Sequence, residues 1–110
     1  MSDRLKAHAP YLHVLAKGSA RQREGILRGA NKELIYCLCE CALNVLQGNV
    51  ELHPMEKSRL KKYRKTLRDL ASKKVSLGTK RKLLLKQKGG WVSALIAPVL
   101  ITLARLFAKK

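Results

Sequence analysis

Apolar residues recur at three- and four-residue steps through most of this 110-residue chain, the period of helices with one buried side. The clearest stripe, Leu34, Ile35, Leu38, Cys41, Ala42, Val45 and Leu46, predicts a buried central helix over 32–47. Asn31 is its cap, Glu33 suits the dipole of its first turn, and Gly48 with Asn49 ends it. Upstream, Ser19 with Gln22 three residues on has capping-box spacing and predicts a helix over 20–28 that buries Ile26 and Leu27. Pro10 opens an earlier short helix over 11–17, and residues 2–8 read as a polar lead-in.

Downstream of a linker over 50–53, Pro54 and Glu56 start a helix with Leu60, Tyr63, Leu67 and Leu70 along one side. A break over 74–78 follows, in which Ser76 can cap a last basic helix over 79–88 with Leu83, Leu84 and Leu85 turned inward. The run WVSALIAPVLITLARLF over 91–107 is the longest apolar stretch, and Pro98 is expected to bend or interrupt it. No alternating Val/Ile/Thr run is long enough to argue for a sheet. The pattern predicts an all-α fold: a small bundle of about five short helices with a basic C-terminal half and an apolar C-terminal tail helix. Its expected parts are an N-terminal helical domain over 1–53, a basic nucleic-acid-binding segment over 54–90 and the tail over 91–110.

Charge changes the picture most in the middle part. From Pro54 to Gly90 there are fourteen Lys or Arg against only Glu56 and Asp69, a local +12 of the chain's formal +17. A solvated helix face usually alternates sign, whereas this one is basic at nearly every exposed position, so a polyanion is the natural partner. The expected contacts are Arg59, Lys61, Lys62, Arg64, Lys65, Arg68, Lys73, Lys74, Lys80, Arg81, Lys82, Lys86 and Lys88. Tyr63 is the lone aromatic inside the basic helices, too few for a base-stacking platform, which favours backbone-directed binding to double-stranded DNA. RNA is not distinguished from DNA by these residues.

Other chemistry is sparse. Cys37, Cys39 and Cys41 form a CxCxC run, but residues two apart on a helix point in nearly opposite directions, so the run reads as core and not as a metal site. His8, His13 and His53 are scattered, and His13 and His53 read as surface or capping residues. The seven carboxylates suit ion pairs better than acid–base work, so neither an enzyme nor a cofactor is expected. Charge and polarity over 1–9 replace the apolar core of a secretory signal, which predicts synthesis in a reducing compartment. The uncharged part of the tail, 91–104, is fourteen residues long, short of the roughly 20 needed to span a bilayer. It suits a membrane interface, with Trp91, Leu95, Ile96, Leu100, Leu103 and Phe107 touching an anionic surface, or equally burial against the domain or a partner.

Leu85, Lys86, Gln87, Lys88, Gly89, Gly90 and Trp91 resemble the site cut by the adenoviral maturation protease: an apolar or amide residue, any residue, then Gly-Gly before the cut. Gln87, Lys88, Gly89 and Gly90 fill those positions, with the cut before Trp91. A basic stretch, this site and an apolar tail containing a Pro, in that order over 54–110, also resemble the adenoviral core protein X (mu precursor) family and similar proteins of Polinton and adintovirus-type elements. The resemblance implies a sequence-independent DNA-condensing protein of a virion core and host nucleus, cytoplasmic before import, and an adenain-like viral cysteine protease as a further partner. It leaves the N-terminal half unexplained, and the adenoviral protein is Arg-dense where this chain places Lys and Arg on helices with regular Leu spacing. The alternatives are a membrane-active lytic peptide or a protein interaction module carried by 91–110.

Overall fold

The computed structural model describes residues 3–86 and 91–108, with backbone alone for Lys86 and residues 106–108. Every element in it is a helix: α1 (Asp3–Ala7), α2 (Ala9–Lys17), α3 (Ala20–Arg28), α4 (Lys32–Leu46), α5 (Pro54–Lys61), α6 (Arg64–Ala71), α7 (Leu77–Lys86) and α8 (Trp91–Ala108). The all-α expectation is met, while the number of helices among the described residues is eight and not about five. Two of the extra elements have visible causes. Residues 3–7 form α1 because Leu5 reaches the core and is fully buried, which a polar lead-in does not anticipate. The long basic helix is divided at Lys62–Tyr63, where the Tyr63 N–H bonds the Leu60 carbonyl at 2.9 Å, a tighter turn than the α-helical one. That break turns the Tyr63 ring onto Trp91, with ring centroids 5.7 Å apart and planes at 24°.

Local signals in the N-terminal half act as the sequence predicts. Ser19 and Gln22 close a reciprocal capping box on α3. The Asn31 side chain accepts from the Leu34 N–H at 2.9 Å to start α4. At the other end of α4, Asn49 N–H reaches the Asn44 carbonyl and Gly48 N–H the Val45 carbonyl, the paired bonds of a Schellman stop. That stop needs Gly48 at φ +76°, a conformation costly for a residue with a Cβ.

The core is organised by α4 and α8. Helix α4 buries Leu34, Ile35, Cys37, Leu38, Cys41 and Ala42 because α1, α6, α7 and α8 cover it from several sides. Helix α8 packs chiefly along α2, then against α4 and α5, and buries Trp91, Leu95, Ile96 and Val99 completely. Ser93 Oγ donates to the Leu15 carbonyl at 3.0 Å and fixes the register of α8 on α2. Pro98 does not interrupt α8 as expected. Its ring is buried, and packing on both sides of it carries the helix through the hydrogen bond that proline cannot donate. Helix α7 starts at Leu77 with Ser76 accepting from the Thr79 N–H, and of the three leucines expected inward Leu84 is buried while Leu85 is 39% exposed.

Burial of α8 makes a direct expectation for stability. Leu95→Ala should cost about 3 kcal/mol, because a fully buried Leu loses both its transfer energy and the contacts around the cavity left behind. Ile101→Ala on the same helix, where the side chain is 54% exposed, should change stability by less than about 0.5 kcal/mol. Removing 91–110 should abolish cooperative unfolding. Urea denaturation followed by circular dichroism reads all three.

Candidate nucleic-acid interface

The cationic surface is built on α5, α6 and the turn into α7. The α5 N-terminus is fixed by Pro54 at the first helical position and by two side chains: Glu56 accepts from the His53 N–H at 2.9 Å, and His53 Nδ1 accepts from the Met55 N–H at 3.2 Å. Helix α6 then buries Leu67 and Leu70 on α4, which leaves its opposite side to water. Anchored in this way, Arg59, Lys61, Lys62, Arg64, Lys65, Arg68, Lys73, Lys74 and Lys82 all stand exposed. Among the described residues, Lys65 is the one of these nine in an ion pair, with Asp69 at 3.3 Å. The Lys65 side chain is 90% exposed, so that pair does little to neutralise the surface. Glu56, the other acid of this stretch, is occupied with capping.

Of the other four expected contacts, two are engaged in the fold and the side chains of two fall outside the described residues. Lys80 is turned inward and is only 7% exposed, because its position on α7 faces α4 and its stem packs beside Cys39. Arg81 is half-buried and donates through Nη1 to the Ala30 carbonyl at 2.6 Å, tying α7 to the α3–α4 turn. Both serve the fold in this arrangement and neither belongs to the open cationic face. The side chain of Lys86 and the whole of Lys88 lie outside the described residues, as do Gln87, Gly89 and Gly90 of the protease-like site. Trp91, at the border of that site, begins α8 with its indole fully buried and its Nε1 without a hydrogen-bond partner. Conversely, Lys57 was not among the expected contacts, yet it is exposed one turn before Lys61. The four-residue spacing of Lys57, Lys61 and Lys65 was the signal that could have placed it.

The residues considered for a membrane surface point the other way. Trp91, Leu95 and Ile96 are fully buried, Leu103 is 4% exposed and Leu100 packs partly buried on the core. The Phe107 side chain lies outside the described set. No helix among the described residues is long and apolar enough to cross a membrane. An apolar run of this length is drawn inward because the basic helices have so little apolar surface of their own to contribute.

Cys37 and Cys41 share the buried face of α4, and Cys39 points to its half-buried side. No group of three or more His, Cys, Asp or Glu is placed to hold a metal among the described residues. The Cys41 thiol is held well above the ordinary range by its hydrogen bond with Cys37 and then by burial. Burial also raises Cys39, against the opposing pull of the neighbouring Lys80 ammonium.

These thiols set a pH dependence with a definite sign. From the ordinary thiol value of 9.0 up to their raised folded values, the unfolded chain has released protons that the folded one still holds. Stability therefore falls as pH rises through that window. The urea midpoint should drop between about pH 8 and about pH 10, and less steeply in Cys41→Ala than in the unaltered protein. Equal slopes would show that the thiols make no contribution.

Comparison with protein-family models, with curated proteins and with solved structures finds no match for this chain.

Proposed function

We propose that this chain is a non-enzymatic protein that coats or condenses double-stranded DNA through its phosphates, without reading bases. The observation that carries the proposal is the set of exposed cations from Arg59 to Lys74, on α5, α6 and the turns after each, with a single ion pair among them in the described residues. Two eight-residue helices each run about 12 Å. Over each such length a duplex carries about seven phosphate charges on its two strands together, at about one per 1.7 Å of axis. Among the described residues only Lys65 of these cations has an internal partner, so contact with phosphate exchanges chiefly water and condensed counterions.

Duplex is favoured over single strands because Tyr63, the aromatic within the basic helices, is committed to Trp91 and leaves no ring for stacking on bases. The order of basic stretch, Gly-Gly site and apolar tail supports placing this activity in a virion core and host nucleus, with processing before Trp91 by an adenain-like cysteine protease. A membrane-active tail is the weaker reading, since α8 must first leave the core to present Trp91, Leu95 or Ile96 to lipid.

Binding to a short labelled duplex, followed by fluorescence anisotropy across a salt series, tests the proposal. With about six phosphates engaged, log Kobs should fall against log salt with a slope near −5, and unrelated duplex sequences should agree within about threefold. Replacing both Arg64 and Arg68 by Glu should weaken binding more than about tenfold at physiological salt, while Lys80→Met should leave it within about twofold. A slope shallower than about −3, or a Lys80→Met loss as large as that of the double reversal, overturns it.

A further inference from the structure

An open groove of about 950 Å³ runs between the end of α4 and the α5–α6 pair. Its floor is apolar: Leu60 and Leu67 are buried at the bottom, Leu52 is partly buried, and Leu46 stays 38% exposed. One wall is cationic, with Lys57, Lys61, Arg64 and Arg68 following one another at steps of four, three and four. None of these four is in an ion pair among the described residues. The protein's own nearby acids are engaged elsewhere: Glu56 in capping, Asp69 with Lys65, and Glu51 with Arg105 at 3.3 Å. No carboxylate of the described residues pairs with this wall, which leaves it open to one from a partner.

We propose that the groove is a docking site for an acidic amphipathic helix of a partner protein. Lys57 and Lys61 stand one turn apart on α5, and Arg64 and Arg68 one turn apart on α6, two pairs at the spacing of acids along a partner helix laid alongside. A helix with leucine-type residues at three- and four-residue steps covers Leu46 and Leu52, and acids flanking that stripe meet the four cations. Nucleic acid matches only half of the groove, since phosphates satisfy the wall and leave the floor wet. A second copy of this chain fits worse, because it brings four cations of its own to the same face.

The arrangement also divides the basic surface. Arg59 and Lys62 lie with Met55 along a neighbouring recess that shares Pro54 and Ser58 with the groove. They do not line the groove itself, whereas Arg64 and Arg68 serve both proposals, so an acidic segment in the groove competes with a polyanion for those two. The groove proposal goes beyond nucleic-acid binding and does not require it.

The test uses the full chain and a fluorescein-labelled synthetic helix of about 18 residues, with Leu on one face and Glu beside it, and a scrambled peptide of identical composition. At physiological salt the amphipathic peptide should bind saturably with Kd on the order of 10 µM, and the scrambled one at least about tenfold more weakly. Leu46→Ser, which removes the apolar contact and adds no charge, should weaken peptide binding by about fivefold or more and leave duplex affinity within about twofold. Amide chemical-shift mapping on the unaltered protein keeps the result independent of whether that variant folds. Shifts should cluster at Leu46, Leu52 and Leu60 and not at Arg59 and Lys62. Equal binding of the scrambled peptide, or shifts centred on Arg59 and Lys62, overturns the groove. Duplex titrations run in parallel separate this outcome from failure of the nucleic-acid proposal.

Discussion

The fold depends on burying the apolar residues of α8. Although α4 has α6 as its chief partner, α2 and parts of α4 and α5 need apolar residues of α8 to cover them. Trp91, Leu95, Ile96 and Val99 do so, and at roughly 1.5–3 kcal/mol for each large side chain removed from water they contribute more than any polar contact in the molecule. The polar contacts choose among packings that burial has already made favourable. Ser93 on the Leu15 carbonyl and Arg81 on the Ala30 carbonyl fix where α8 and α7 sit.

That constraint explains the shape of the basic surface. Helices α5 and α6 dock by Leu60, Leu67 and Leu70, a narrow apolar stripe, which leaves Lys57, Arg59 and Lys61 on α5 and Arg64, Lys65 and Arg68 on α6 to water. Between them the chain turns at Lys62–Tyr63 to place one aromatic ring on Trp91. The same turn brings the second pair of cations, Arg64 and Arg68, to one groove wall with Lys57 and Lys61. Core packing and surface charge are therefore coupled through one stacked pair of rings.

What could be read from the sequence was local. The capping box at Ser19, the Asn31 cap, the Gly48 stop, the Pro54 start and the Ser76 cap are each decided within four or five residues, and each stands where the pattern put it. Features set by distant residues were not legible. Leu5 makes α1 a helix only because a core is present to receive it, and Lys80 turns inward only because α7 crosses α4 beside Cys39. Counting charges identified the basic stretch, with nine of its thirteen expected contacts exposed. It could not separate Lys80 and Arg81 from that surface, since a cation's role depends on which side of its helix the fold covers. The apolar floor beside Lys57 was equally hidden, because Leu46 and Leu52 join the α5–α6 wall only through tertiary packing.

The unpaired cations also act on stability. Like charges on one side of a small protein repel, and the repulsion is felt most at low ionic strength, where the screening length is longest. On the proposed function, a polyanion lying on α5 and α6 would remove that repulsion and favour the folded state, in which the cations are held in place, over an unfolded chain with the same charge. Mass action then raises the free energy of unfolding by RT ln(1 + [L]/Kd), which reaches about 2.7 kcal/mol once the ligand exceeds Kd a hundredfold. In a cooperative unfolding that gain would extend to α8, which packs on α5 and stacks Trp91 on Tyr63. Loosening α8 would in the same way remove the ring on which the Lys62–Tyr63 turn rests.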